Sequence, residues 1–237
     1  ENFKGSHGCW ETADVPRVME ALRSWRRQKQ HKSLASVPLL VMGPSSGGFF
    51  ATQMARNAPE VRALSIQVSV PAADEIKAPL PSGARRFPPL QMILMQRDTG
   101  KLKEAEALRR ADDDELLVAR PKPVHANFFS DGIVGLSPNL SAAVRNALVR
   151  TGRVDAQTSR VVSHPRREEW RDAVRSGLLD AHGKQPRTGL PQKSLSLAMD
   201  SIFARLDLAY AYHASTCEFA DRTVQFFGAH TAARRRV

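Results

Sequence analysis

A serine fenced by glycines is the clearest piece of potential chemistry in this sequence. In Pro38-Leu39-Leu40-Val41-Met42-Gly43-Pro44-Ser45-Ser46-Gly47-Gly48-Phe49-Phe50-Ala51 an apolar run ends in Gly43-Pro44-Ser45-Ser46-Gly47, a G-x-S-x-G match, and a helical pattern begins at once. A nucleophile held on a strained turn needs neighbours without side chains two positions to either side, so that strand and helix can pass close together. Ser45 is then projected above the strand end. The first N–H groups of the following helix, beginning with Ser46, lack intrahelical partners and favour negative charge that develops at the same spot. The chemistry this suits is nucleophilic acyl transfer, with one oxyanion donor supplied by the turn itself. A serine hydroxyl attacks poorly at neutral pH, so a neutral imidazole must take its proton and a carboxylate must orient that imidazole. The same Gly/Ser turn could instead hold a phosphate, but it lacks the Lys-Ser/Thr of a P-loop and the glycine spacing of a dinucleotide fingerprint.

The elements that must position Ser45 can be followed along the chain. Asp14 followed by Pro16 predicts a helix start, and Val15, Val18, Met19, Leu22 and Trp25 recur at helical spacing until Gln28-Lys29. After a polar linker, the apolar residues bounded by Pro38 and Gly43 predict a short strand buried on both faces. The helix beyond the turn, about 48–57, is expected to place Phe49, Phe50, Met54 and Ala55 inward and to stop at Asn57-Ala58-Pro59. Leu64, Ile66, Val68 and Val70 then alternate with Ala63, Ser65, Gln67 and Ser69, the period of a strand. Residues 71–89 form a proline-rich connection that could serve as a rim or lid. Leu90-Gln91-Met92-Ile93-Leu94-Met95-Gln96 is a further buried strand, followed by Arg97-Asp98-Thr99-Gly100, a helix over about 101–110, and a final strand at 116–119.

Strand, helix, strand, crossover, strand, helix is the rhythm of an α/β protein with a parallel sheet flanked by helices. Beyond it the pattern is helical. Ser141 is a candidate cap for a helix carrying Val144 and Leu148, Trp170, Val174 and Leu178 mark another ending at Gly183, and Ile202, Leu206 and Ala209 mark a third. Residues 121–204 therefore read as a helical insertion or cap, and 1–120 with 205–237 as the core. The chain closes with an amphipathic helix carrying Phe219, Val224 and Phe227.

With its glycine-fenced serine between a strand and a helix, the sequence resembles the α/β-hydrolase superfamily over roughly residues 1–110 and 205–228. In that family the catalytic acid follows the strand that corresponds to residues 90–96, and the catalytic histidine stands just before the terminal helix. The resemblance thus implies Asp98 as the acid, with Asp131 in reserve, and His213 as the base, in the order Ser, Asp, His. It also implies an activity on a small-molecule ester or amide through an acyl-enzyme, with no metal or organic cofactor. Each residue keeps an ordinary alternative: Asp98 suits a turn or helix cap, and His213 would lie on a packed face if the preceding helix continued. His7, His125, His164 and His230 fit the base position less well. A hydrolase fold serving as a non-catalytic binding module is the competing reading.

The family's second oxyanion donor comes from a loop after an earlier strand, which the resemblance places before residue 1. The sequence also opens without an initiator Met or an apolar leader, so it is expected to be part of a longer chain lacking the N-terminal strands. Cellular compartment is left open between cytoplasm and an organelle lumen, and oligomeric state is left open too. A net charge of +11 over 237 residues raises nucleic-acid binding, but Arg23, Arg26, Arg27, Arg109, Arg110 and Arg234-Arg235-Arg236 are dispersed without an accompanying module, so solvated basic faces are expected and no specific nucleic acid. Cys9 and Cys217 are too few for a disulfide framework or a zinc site, and no run approaches the roughly 20 apolar residues of a membrane span.

Overall fold

Glycine and proline punctuation sets the first elements of the chain, as a computed structural model of the protein shows. The structure describes residues 10–34, 36–83, 86–110, 112–165, 168–181 and 192–232. His7, Cys9, Gly183 and the terminal arginines lie outside them. The chain divides into two compact units, one of Glu1–Leu94, Thr99–Ala119 and Ser215–Val237, the other of Met95–Asp98 and Arg120–Ala214.

The first unit begins with α1 (Asp14–Arg27), a 3₁₀ helix (Lys29–Leu34) where a polar linker is expected, β1 (Leu39–Pro44) and α2 (Ser46–Asn57). It continues with β2 (Val61–Gln67), the short α3 (Ala73–Lys77), β3 (Leu90–Met95), α4 (Thr99–Leu108) and β4 (Glu115–Ala119). Asp14 sits inside the first turn of α1, where its carboxylate accepts the Glu11 N–H at 3.0 Å, and Ala13 holds the cap position. The strands form one four-stranded parallel sheet in the order β1-β2-β3-β4, with Val41 opposite Leu64 and Ile66 opposite Met92.

A sheet whose strands advance steadily in one direction returns each right-handed crossover over the same face. That face is apolar: Leu64, Ile66, Leu90, Met92 and Leu94 pack with Val15 and Met19 of α1, Phe50 and Met54 of α2 and Ala105 of α4. Each Val, Leu, Ile, Phe or Met side chain so buried contributes roughly 1.5–3 kcal/mol. The alternate positions point to the other face, under α8 (Ala220–Ala232), where the buried polar residues Ser65 and Gln91 stand among Ala63, Ile93 and Met95. Gln91 Oε1 accepts from the hydroxyls of Ser65 at 2.8 Å and Thr223 at 2.7 Å, and Gln91 Nε2 donates to Glu115 at 2.6 Å. The inward residues of α8 are therefore Thr223 and Phe226, while Val224, expected inward, is exposed. β2 is buried on both sides as a result.

β1 departs from the expectation of burial on both faces. It is the edge strand, its outer side has no strand partner among the described residues, and Met42 is 61% exposed. Phe49 is 37% exposed, in contrast to the buried Phe50, Met54 and Ala55. Arg110, far from lying on a solvated face, turns inward: its guanidinium binds the fully buried Asp114 carboxylate at 2.6 Å and the carbonyls of Phe87 and Pro88. That hydrogen bond to Asp114 raises the Arg110 pKa further above its ordinary value.

The second unit is helical: α5 (Pro138–Arg150), α6 (Glu168–Ala181) and α7 (Gln192–Tyr210) surround Phe129, Val144, Leu148, Trp170, Leu178, Ile202 and Leu206. Ser137, followed by Pro138 at the first helical position, caps α5 by accepting the Leu140 N–H. Ser141 is instead buried in the first turn, where its hydroxyl donates to the Ala126 carbonyl at 2.6 Å and accepts the Phe129 N–H. α5 and α6 pack so closely that a Cβ on Gly177 would stand 2.6 Å from the Val144 Cα.

Candidate active site

At the carboxyl end of β1, Ser45 has φ 50° and ψ −120°, a backbone that side chains other than glycine's rarely adopt and that costs about 1–3 kcal/mol. Its N–H donates to the Gln67 carbonyl at 2.9 Å, and its own carbonyl accepts the N–H groups of Gly48 and Phe49 at 2.9 and 3.2 Å. The residue is thus clamped between the end of β2 and the first turn of α2. The Ser45 hydroxyl is exposed and makes no hydrogen bond with a described residue, nor do the N–H groups of Ser46 and Gly47 that open α2. A second strained residue stands beside it: Val68, directly after Gln67, has φ 48° and donates its N–H to Ile93.

The glycines explain how the turn closes. A Cβ on Gly43 would lie 2.2 Å from the Gly47 carbonyl oxygen, and one on Gly48 would lie 2.7 Å from the Ser69 Cβ. Neither can exist without moving backbone or a packed neighbour. A Cβ on Gly47 would meet only the Pro44 ring at 3.4 Å, an ordinary contact. The steric demand therefore falls on Gly43, which faces the Gly47 carbonyl, and on Gly48.

Asp98 and His213 come together in the second unit. Asp98 follows β3 by a turn in which its N–H donates to the Met95 carbonyl at 3.0 Å. α7 ends at Tyr210, and Ala211 and His213 both take positive φ, 56° and 40°, so the imidazole leaves the helical face. Its Nδ1 stands 3.6 Å from the Asp98 carboxylate, an ion-pair separation longer than a hydrogen bond. Asp98 is largely covered and His213 about half so. Next to the pair, the Arg97 N–H donates to the Ala211 carbonyl at 3.0 Å, its guanidinium lies 4.1 Å over the Tyr210 ring, and His164 meets Tyr210 and Tyr212 edge-on. These contacts fix the turn that carries His213.

Ser45 and Ser46 belong to the first unit. Within that unit the Thr216 N–H donates to Gln67 Oε1 at 2.9 Å, so Gln67 holds both Ser45, through its carbonyl, and the start of the segment that leads to α8. Asp131 lies 3.9 Å from His125 in an exposed pair, and His230 packs against Phe226. Sequence pattern alone assigns no role to Gln67, Thr216, Arg97 or the two tyrosines. Tyr210-Ala211-Tyr212 flanking the histidine is the signal that could have drawn notice to the turn. Gln67 offers none, since only the tertiary pairing shows what its amide holds.

Comparison of the chain with protein-family models, with curated proteins and with solved structures gives no match in any of the three. The architecture is compatible with an α/β-hydrolase core without being specific to it. Among the described residues no group of three or more His, Cys, Asp and Glu could hold a metal ion, and no helix is long and apolar enough to cross a membrane.

Proposed function

We propose that this chain carries the catalytic serine of a hydrolase acting on a small ester or amide. Ser45 Oγ attacks the acyl carbon while His213 Nε2, the ring nitrogen turned away from Asp98, takes its proton. The Ser46 N–H donates to the tetrahedral oxyanion. On collapse, His213 returns the proton to the leaving alkoxide or amine. The acyl-enzyme is then cleaved by water, with His213 again as base, releasing the acid and restoring the Ser45 hydroxyl. Asp98 holds the imidazole in the tautomer that leaves Nε2 able to accept.

The observation that carries this reading is the Ser45 backbone. A non-glycine residue held at φ 50°, ψ −120° between a strand and a helix N-terminus, with its hydroxyl uncommitted, is stored strain at the position where a nucleophile is expected. The pairing of His213 with Asp98 supports it independently. The test is covalent labelling by a fluorophosphonate probe, which reacts with activated serines and spares ordinary hydroxyls. Labelling that disappears in Ser45→Ala while the melting temperature holds is the expected result. Equal labelling of both proteins, or none of either, sinks the proposal and leaves the binding-module reading.

A further inference from the structure

At the end of the sheet opposite Ser45, where β1, β2 and β3 begin, the first unit carries a cavity of about 1090 Å³ that is open to solvent on one side. Its walls carry Arg26, Arg62, Arg86 and His230 together with Glu60 and Asp113. The two carboxylates are already matched: Asp113 accepts from Arg86 at 2.6 Å, and Glu60 accepts from Arg23 at 3.1 Å. Arg26 and Arg62 are left over. Both are half-buried, and neither guanidinium forms a hydrogen bond or ion pair with a described residue. A partly desolvated guanidinium without a counter-charge is disfavoured, and its five donors in a fixed fork suit a carboxylate or a phosphate. Apart from Ser36 and Thr231, the rest of the lining is uncharged and mostly apolar, with Val37, Pro38, Ala58 and Phe87 forming one wall. Its volume is that of a pocket for a small molecule.

We infer that this cavity binds an amphiphilic anion, an aliphatic body ending in one carboxylate or phosphate, with Arg26 and Arg62 on the anionic head and the proline- and valine-lined wall against the chain. The inference does not rest on the hydrolase reading, because Ser45 follows the opposite end of β1 and none of the residues named for catalysis lines the cavity.

Calorimetric titration of the whole protein with dodecanoate, dodecyl phosphate, dodecanol and inorganic phosphate, each below its aggregation concentration, tests it. Saturable one-site binding of either dodecyl anion is expected, the tighter of the two naming the head group. Dodecanol and inorganic phosphate should bind at least tenfold more weakly. Arg62→Ala and Arg26→Ala should each weaken the anion at least tenfold, while Arg17→Ala, which removes the same charge from an exposed position of α1, should not. Because Val37 is exposed, Val37→Glu places a carboxylate at the cavity without disturbing the core and should abolish binding by repulsion. Binding of dodecanol equal to that of the anions, undiminished binding by the Arg26, Arg62 and Val37 variants, or no binding of either anion would overturn the inference.

Discussion

The side-chain oxygen of Gln67 accepts the main-chain N–H of Thr216 at 2.9 Å, across 149 positions of sequence. The main-chain carbonyl of the same glutamine holds Ser45. One residue thus fixes the serine turn and the segment that follows His213. Gln67→Leu should slow fluorophosphonate labelling by at least tenfold while costing only about 1 kcal/mol of stability, the usual worth of one hydrogen bond. Gln67→Glu keeps the accepting oxygen and should recover most of the rate. Labelling that tracks stability alone in both variants would reduce Gln67 to a structural role.

The three glycines around the serine should separate cleanly. Gly43→Ala and Gly48→Ala must displace their close neighbours and should each destabilise by roughly 1–3 kcal/mol or more. Gly47→Ala meets only an ordinary contact and places a better helix former in the first turn of α2, so it should be neutral or stabilising by up to about 1 kcal/mol. Urea denaturation of the three variants measures the difference, and an equal loss in all three would contradict the geometry of the turn.

Asp98→Asn keeps shape and volume but removes the charge facing His213 Nδ1. In a serine hydrolase such a change leaves the fold intact and lowers the rate by up to about 10⁴-fold. Single-turnover labelling kinetics, with the melting temperature as control, should show a loss of at least 10²-fold. An unchanged rate would remove Asp98 from the site and turn attention to Asp131.

In the second unit the Asp155 carboxylate is held below its ordinary pKa, first by the Thr158 N–H, then by the Thr158 hydroxyl and the Gln157 N–H. A lowered folded-state value means that this contribution is present above the unfolded pKa and is lost as the pH falls through the folded one. The turn at 155–160 should therefore hold at neutral pH and loosen only below about pH 4. The Thr158 amide resonance, followed by NMR through that range, should move with Asp155, and the movement should vanish in Asp155→Asn.

The turn at Ser45 was legible because its determinants are local: glycines and a proline between an apolar run and a helical pattern. The steric demand on Gly48 was not, since its obstacle is Ser69, in the loop that follows β2. Whether β1 is central or at an edge depends on strand order, which no period in the sequence encodes. In α8 the apolar period favoured Val224, but the buried amide of Gln91 takes the Thr223 hydroxyl and rotates the inward face. The cap of α5 could have been read more closely, for Pro138 points to Ser137. The end of α7 could not, because Ala211 and His213 adopt positive φ without the glycine that usually announces it.

Among the described residues the outer side of β1 has no strand partner, and this bears on how the chain as given behaves at high concentration. Natural sheet borders are blunted by lysines, prolines or bulges, whereas Leu39-Leu40-Val41-Met42 offers a row of amide groups flanked by uncharged side chains, interrupted only by Pro44 and a register shift at Leu39/Leu40. Such a border is a template for strand addition. Between two copies of the chain, that addition would join their sheets side by side, so colloidal stability depends on four apolar residues next to the serine turn, and the net charge of +11 is the repulsion that opposes it.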